Sequence, residues 1–165
     1  MNIRDATLDD LRAIVEIYNA AIPGRMATAD TEPIAFESRL SWYRKHCTSD
    51  LPLWVLEIDG EIGGWLSLEE FYGRPAYQAT AEVSIYIAPT YQKQGWGKIL
   101  LGEAIAQGSR FGLNTLVGFI FAHNEPSLRL FEQFGFREWG YLPRVAQLDG
   151  VARDLTILGR RIDTD

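Results

Sequence analysis

The stretch Ser84–Leu101, SIYIAPTYQKQGWGKILL, constrains the fold most, because it reads as a buried strand, a glycine-rich turn and an apolar helix in succession. The strand spans Val83–Ala88, and Pro89 closes it because proline cannot donate to a sheet ladder. Gly95 and Gly97 permit positive φ or close approach of a ligand to the backbone. Ile99, Leu100, Leu101, Ala104 and Ile105 then give the helix a wide apolar side. A turn that opens a helix presents unpaired N–H groups at the positive end of the helix dipole, which suits phosphate. The local pattern fits a plain helix start and an anion site equally. A Walker loop ending at Gly97-Lys98 would need Gly at Gln92 and Ser or Thr at Ile99, and a dinucleotide fingerprint from Gly95 would need Gly or Ala at Leu100. Both are excluded.

Composition narrows the classes around that motif. A chain of 165 residues, 47% hydrophobic and 23% charged, is expected to fold as one domain over residues 1–165. The net charge of −6 and the lack of a long basic run argue against a nucleic-acid surface. Lys93 and Lys98 beside the loop still suit a small anionic ligand. The N-terminus lacks a charged-then-apolar signal pattern, and no apolar run approaches the length of a membrane span. The single cysteine, Cys47, gives no internal disulfide and no Cys–Cys metal pair, and reads as a half-buried helix residue. A reducing cytoplasm fits.

In chain order, Ile3-Arg4 begins a short strand, and Thr7 with Asp10 forms a capping-box variant before a helix to about Ala20. Ile22–Pro33 reads as a surface loop, by default a plain connection and also able to serve as a substrate lid. A second helix is expected from about Ile34 to His46. Leu53–Ile58 and Ile62–Ser67 are strands joined by Asp59-Gly60, a strong hairpin signal. Phe71–Ala79 is irregular. Beyond the central motif, the helix reaches Phe111, where Gly112 can end it, and Thr115–Phe121 is a strand. Asn124 can cap a helix with Pro126 in its first turn, and two final strands flank Asp149-Gly150. The order β-α-α-β-β-β-α-β-α-β-β gives a mixed sheet with helices packed on it, α+β in character.

Strand alternation puts Glu82, Ser84 and Tyr86 on one face and Val83, Ile85 and Ile87 on the other. Glu82 reads either as a solvated strand-end residue or as a cleft carboxylate whose burial would raise its pKa and suit a general base. Asn124 and Ser127 follow the next strand. Capping accounts for Asn124, yet two helix N-termini side by side would flank one V-shaped opening, where a ligand could accept bonds from the loop amides and from Asn124, making Asn124 and Ser127 candidate cofactor-binding residues. His123 has no assigned role.

These motifs resemble those of a known superfamily. Gln92-Lys93-Gln94-Gly95-Trp96-Gly97 matches the Q/R-x-x-G-x-G/A acetyl-coenzyme A loop of the GNAT N-acetyltransferases, and Asn124–Phe136 resembles their later Asn-containing helix ending in Gly-Phe. IYNAAI at 17–22, TADTEP at 28–33, AEVSIYI and RDLTILGRRI at 153–162 resemble the phosphinothricin acetyltransferase-like branch. The resemblance implies a largely antiparallel central sheet flanked by helices, opened between two central parallel strands. Acetyl-CoA would lie in that opening, its pyrophosphate on backbone N–H groups from Gln94 to Lys98 and its pantetheine arm along Ser84–Ile87. Trp96 would rim the site, Glu82 would be the general base, and the partner would be a small, amino-acid-like amine. The same resemblance implies a homodimer and no metal.

Phe131 stands where the superfamily often has Tyr and this branch often His, so the usual general acid is absent, leaving Tyr141 or water to substitute. An Arg common in the branch is missing near Tyr72, and an aromatic is missing near Ala152. Acceptor-side candidates are Tyr18, Asn19, Phe71, Tyr72, Arg74 and Tyr77, with core packing or loop solvation as their other readings. Two further functions remain open: a protein or peptide acetyltransferase, and a non-catalytic coenzyme A-binding module.

Overall fold

The computed structural model describes residues 1–162. Its elements are β1 (Asn2–Asp5), α1 (Leu11–Ala21), α2 (Leu40–Thr48), β2 (Leu53–Ile58), β3 (Glu61–Glu70), β4 (Thr80–Ile87), α3 (Trp96–Gln107), β5 (Thr115–Phe121), α4 (Glu125–Gln133), β6 (Arg137–Leu148) and β7 (Val151–Arg161). The expected order of strands and helices is the observed one. Short 3-10 turns lead into or out of α1, α2 and α3. Among the described residues no helix is long and apolar enough to cross a membrane.

Sequence-local chemistry accounts for most boundaries. The Thr7 N–H donates to Asp10 Oδ2 at 2.8 Å, which satisfies one orphan donor ahead of α1. Asp59 and Gly60 both take positive φ (52° and 85°), as a two-residue hairpin requires. Asn124 caps α4 by accepting from the Ser127 N–H.

The strands form one sheet in the order β1-β2-β3-β4-β5-β7-β6. Helices cover both faces. Leu100, Leu101 and Ala104 of α3 and Phe131 of α4 pack with Leu56, Leu66, Leu68, Val83, Leu116 and Leu158 on one side. Leu11, Ile14, Val15 and Tyr18 of α1 pack with Val55 and Trp65 on the other, and Tyr86 joins them. This is the alternation expected for β4.

Three expectations are corrected. The second helix begins at Leu40, not near Ile34. The Asn19 side chain bonds both backbone groups of Ile34, and Ala35 is extended (φ −79°, ψ 147°), so helix geometry cannot start there. The third strand runs on to Glu70 because β4 begins early, at Thr80, and Glu70 pairs with Ala81. Cys47 is exposed, not half-buried.

The feature that places the site is the join between the two halves of the sheet. All neighbouring strands are antiparallel except β4 and β5. These two pair only from Thr80–Thr115 to Glu82–Val117. β4 then stays with β3 as far as Ile87, while β5 stays with β7 as far as Phe121. The sheet therefore forks beyond Glu82. Just past the fork, the Phe131 ring sits against Gly118, where an added Cβ would lie 2.7 Å from a ring carbon.

We expect Gly118→Ala to destabilise the protein by about 1–3 kcal/mol through overpacking, read from urea unfolding midpoints. An unchanged midpoint would show that the ring has room to retreat.

Candidate active site

Glu82 stands at the last paired position before the fork, half-buried, with no hydrogen-bond or ion-pair partner among the described residues. Burial, and then the charge of Glu69, push its carboxyl above the ordinary range. Glu69 lies directly across from it in the β3–β4 register. The Trp42 indole N–H donates to Glu69 Oε1, and His46 Nε2 lies 3.6 Å from the same oxygen. His46, and then Trp42, hold the Glu69 carboxyl below its usual value against the effect of burial. Two adjacent carboxylates are thus pushed in opposite directions, the arrangement that separates a proton acceptor from a lasting anion. Sequence reasoning missed Glu69 because the expected strand stopped at Ser67.

A strap from the Ile22–Pro33 loop ties the arms of the fork together. On the β4 side, the Tyr86 hydroxyl donates to the Ala27 carbonyl at 3.1 Å. Beyond β5, the His123 Nε2–H donates to the Arg25 carbonyl at 2.7 Å and Asn124 Nδ2 donates to the Met26 carbonyl at 3.2 Å. Arg25 also pairs with Asp149 of the last hairpin at 2.9 Å. Tyr18 hydrogen-bonds Thr28 and Asp30, and Asn19 holds Ile34. The loop is therefore more than a plain connection, being hydrogen-bonded to both arms. Tyr18 and Asn19 spend their polar groups on it, and His123 gains a structural part.

The other wall of the fork is an unpaired backbone edge. Ser84, Ile85, Tyr86 and Ile87 run in register with β3, and among the described residues no strand pairs with their other edge, toward which alternate N–H and C=O groups point. That edge leads to the turn before α3. Gly95 is left-handed (φ 88°) and Lys93 has φ 61°. The first-turn N–H groups of Trp96 and Gly97 have no intrahelical acceptor by position. Gln92 Nε2 braces the turn on the Ile87 carbonyl, and Gln94 Nε2 braces it on the Thr90 carbonyl. The Trp96 indole donates to Gln94 Oε1. Lys93 and Lys98 are exposed beside these N–H groups. An added Cβ at Gly97 would lie 3.2 Å from Leu130, so this glycine also lets α3 approach α4. Asn124 and Ser127 are joined by the α4 cap on the far side of the opening.

On the acceptor side, Phe71 packs edge-on against Tyr72 and Tyr77 and stacks near Phe119 of β5. Phe119 lies two residues beyond Val117, the partner of Glu82, and so shares its face of the sheet. Arg74 is exposed. Tyr141 is not brought to the fork: it lies on the outermost strand with its hydroxyl donated to Asp154. Phe131 is 5% exposed and fills its position with hydrocarbon.

Residues 12–136 match the model of the Acetyltransferase (GNAT) family. The chain belongs to this family. It is 50% identical to YwnH of Bacillus subtilis (strain 168), provisionally named a phosphinothricin acetyltransferase, over 98% of this chain and 99% of that protein. It is 31% identical to the L-methionine sulfoximine/L-methionine sulfone acetyltransferase of Salmonella typhimurium (strain LT2), covering 99% and 95% of the two chains. The structure superposes on a phosphinothricin acetyltransferase from Sinorhizobium meliloti in complex with acetyl-CoA, with a TM-score of 0.92 at 26% identity, over 97% and 87% of the chains. The protein is therefore a GNAT acetyltransferase, and the Sinorhizobium relative carries acetyl-CoA.

Replacing Asn19 with Ala should loosen the strap at its C-terminal end. We expect the Ile34 amide, which donates to Asn19 Oδ1 at 2.9 Å, to lose protection by about fivefold or more in hydrogen exchange. Unaltered protection would mean that the strap is held elsewhere.

Proposed function

We propose that this GNAT acetyltransferase moves an acetyl group from acetyl-CoA directly to the primary amine of a small, amino-acid-like acceptor, with Glu82 as general base. The observation that carries this reading is a half-buried carboxylate at the apex of the fork, without a partner among the described residues. The names of the relatives support the acceptor class, with phosphinothricin, L-methionine sulfoximine and L-methionine sulfone as the compounds to try.

The residues fit the donor. The backbone from Gln94 to Lys98 would hold its pyrophosphate, where N–H groups and the helix dipole favour negative charge. The open edge at Ser84, Ile85, Tyr86 and Ile87 would take the pantetheine amides as an added strand does. Gln92, Lys93 and Trp96 would border the turn, while Asn124 and Ser127 frame the opposite wall. When bound, acetyl-CoA supplies the acetyl group as a thioester whose C–S bond breaks, with both electrons going to sulfur, as the amine's C–N bond forms.

The chain's own part is proton removal and charge stabilisation. An amine at neutral pH is mostly ammonium and cannot attack until it loses a proton, which Glu82 accepts directly or through water. A β4 backbone N–H near Ser84–Tyr86, free of sheet pairing, donates toward oxygen where negative charge develops. A leaving thiolate of pKa near ~8.5 needs little acid assistance, which accommodates Phe131. Phe71, Tyr72, Tyr77 and Arg74 border the acceptor, whereas Tyr18 and Asn19 act through the strap. The exposed Trp139, Leu142 and Val145 on β6 offer an apolar face for a second copy, so sedimentation should report a dimer.

Coenzyme A release with the three compounds named above tests the reaction. We expect Glu82→Gln to lower kcat by about 100-fold or more. The raised carboxyl loses its basic form as pH falls, so kcat/KM should decline through a midpoint above the ordinary glutamate range. An undiminished variant contradicts Glu82 as base. Tight coenzyme A binding without turnover on any amine contradicts catalysis.

A further inference from the structure

Carboxylates placed directly opposite each other on adjacent strands repel, and a fold keeps such a pair only where something compensates it. At Glu69–Glu82 the compensation is one-sided. Both protein contacts to Glu69, from the Trp42 N–H and the His46 ring, fall on Oε1. Oε2 has no partner among the described residues, and neither oxygen of Glu82 has one. The Glu69 side chain is 38% exposed, so it remains reachable, while His46 behind it is 6% exposed.

Among the cations on this side of the sheet, Arg39 adds its charge to what holds Glu69 ionised, while its guanidinium rests on aromatic rings. Arg39, at the entry to α2, lies over the rings of Tyr18 and Trp42 at 4.8 and 5.0 Å. Lys45 of α2 stands 4.0 Å from Glu70. From α1 the titratable neighbour is Tyr18, on β4 it is Tyr86, and β5 presents Val117. A cation placed at the apex would meet both carboxylates, which stand opposite each other in the β3–β4 register.

We propose that Glu69 is a second carboxylate of the acceptor site, its Oε2 accepting a hydrogen bond from the acceptor's ammonium group while Glu82 takes the proton. This rests on the acetyl-transfer reading above. In the step, one N–H bond of the ammonium breaks, its proton and positive charge pass to Glu82, and the nitrogen keeps the electron pair. Glu69 stays ionised throughout, held so by His46 and Trp42. Its charge raises the proton affinity of the amine and of Glu82 together, so transfer between them stays balanced. Capture of the abundant ammonium form improves. The effect therefore belongs mainly to KM.

The test uses the full chain with acetyl-CoA and L-methionine sulfone. Glu69→Gln keeps the shape and can still accept from Trp42 while losing the charge. We expect its KM for the amine to rise roughly tenfold or more. Its kcat should stay within about threefold of wild type. KM for acetyl-CoA should not change, and Glu69→Asp should recover most of the loss. Carbon-13 NMR of the Glu82 carboxyl in the coenzyme A-bound protein provides a readout without an acceptor. There, the Glu82 midpoint should move to lower pH in Glu69→Gln, and the acid limb of kcat/KM should move with it. A turning-over wild type paired with an indifferent Glu69→Gln overturns the role of Glu69 alone. A wild type that acetylates no amine overturns the transfer reading and, with it, the grip of Glu69 on an ammonium.

Discussion

Backbone pairing between β4 and β5 stops after Glu82–Val117, although both strands run on beyond it. Each stays committed to its antiparallel neighbour, β4 to β3 and β5 to β7, so the two halves of the sheet diverge instead of closing. Divergence leaves one edge of β4 unpaired, and unpaired backbone donors and acceptors demand partners. Such an edge, half-buried in a cleft, can pair with an extended ligand as it would with a strand. The strap at Arg25–Ala27, bonded to Tyr86 on one arm and to His123 and Asn124 beyond the other, holds the arms at a set separation. A single interruption of pairing thus produces the cleft, its lining and the apex where Glu82 sits.

Electrostatics at the apex follow from that geometry. Glu82 is partly stripped of water and faces another carboxylate, so it favours its protonated form more than an ordinary glutamate does. Glu69 has the opposite bias because an indole N–H and a buried imidazole bind it. The pair is a local cost that the surrounding aromatic packing supports. Trp65 stacks on Tyr86 at 4.7 Å and Trp42 stands edge-on to Trp65, which fixes the wall behind both carboxylates. At the mouth, Lys93, Lys98 and the α3 N-terminus supply the opposite sign. The site is therefore polarised, acidic where an amine would enter and basic where phosphates would rest.

Much of this was legible in the sequence because local rules governed it. Pro89, Gly95, the Asp-Gly turns and the Asn124 cap each act within a few residues, and each behaves as its chemistry dictates. Strand alternation alone placed Glu82, Ser84 and Tyr86 on one face. What escaped depended on contacts distant in sequence. Ile34 cannot begin a helix because Asn19 binds it, and nothing near Ile34 announces that bond. Glu69 lay beyond the expected end of its strand, since Glu69 and Glu70 lack strand propensity and only pairing with Glu82 and Ala81 extends the ladder. The hydrogen bonds of Tyr18 and Asn19 to the strap also join residues far apart in sequence, so nothing local announces them. Tyr141 stands on the edge strand, with β7 between it and β5, and its hydroxyl is already donated to Asp154.

The central claim is that the fork between β4 and β5 is the acetyl-donor site. Titrating isotopically labelled protein with coenzyme A and following backbone amide resonances tests it most directly. Saturable shifts should be confined to Val83–Ile87 on the open β4 edge and to Gln94–Lys98 at the start of α3. Saturable binding that left both segments unmoved, or no binding at all, would contradict it.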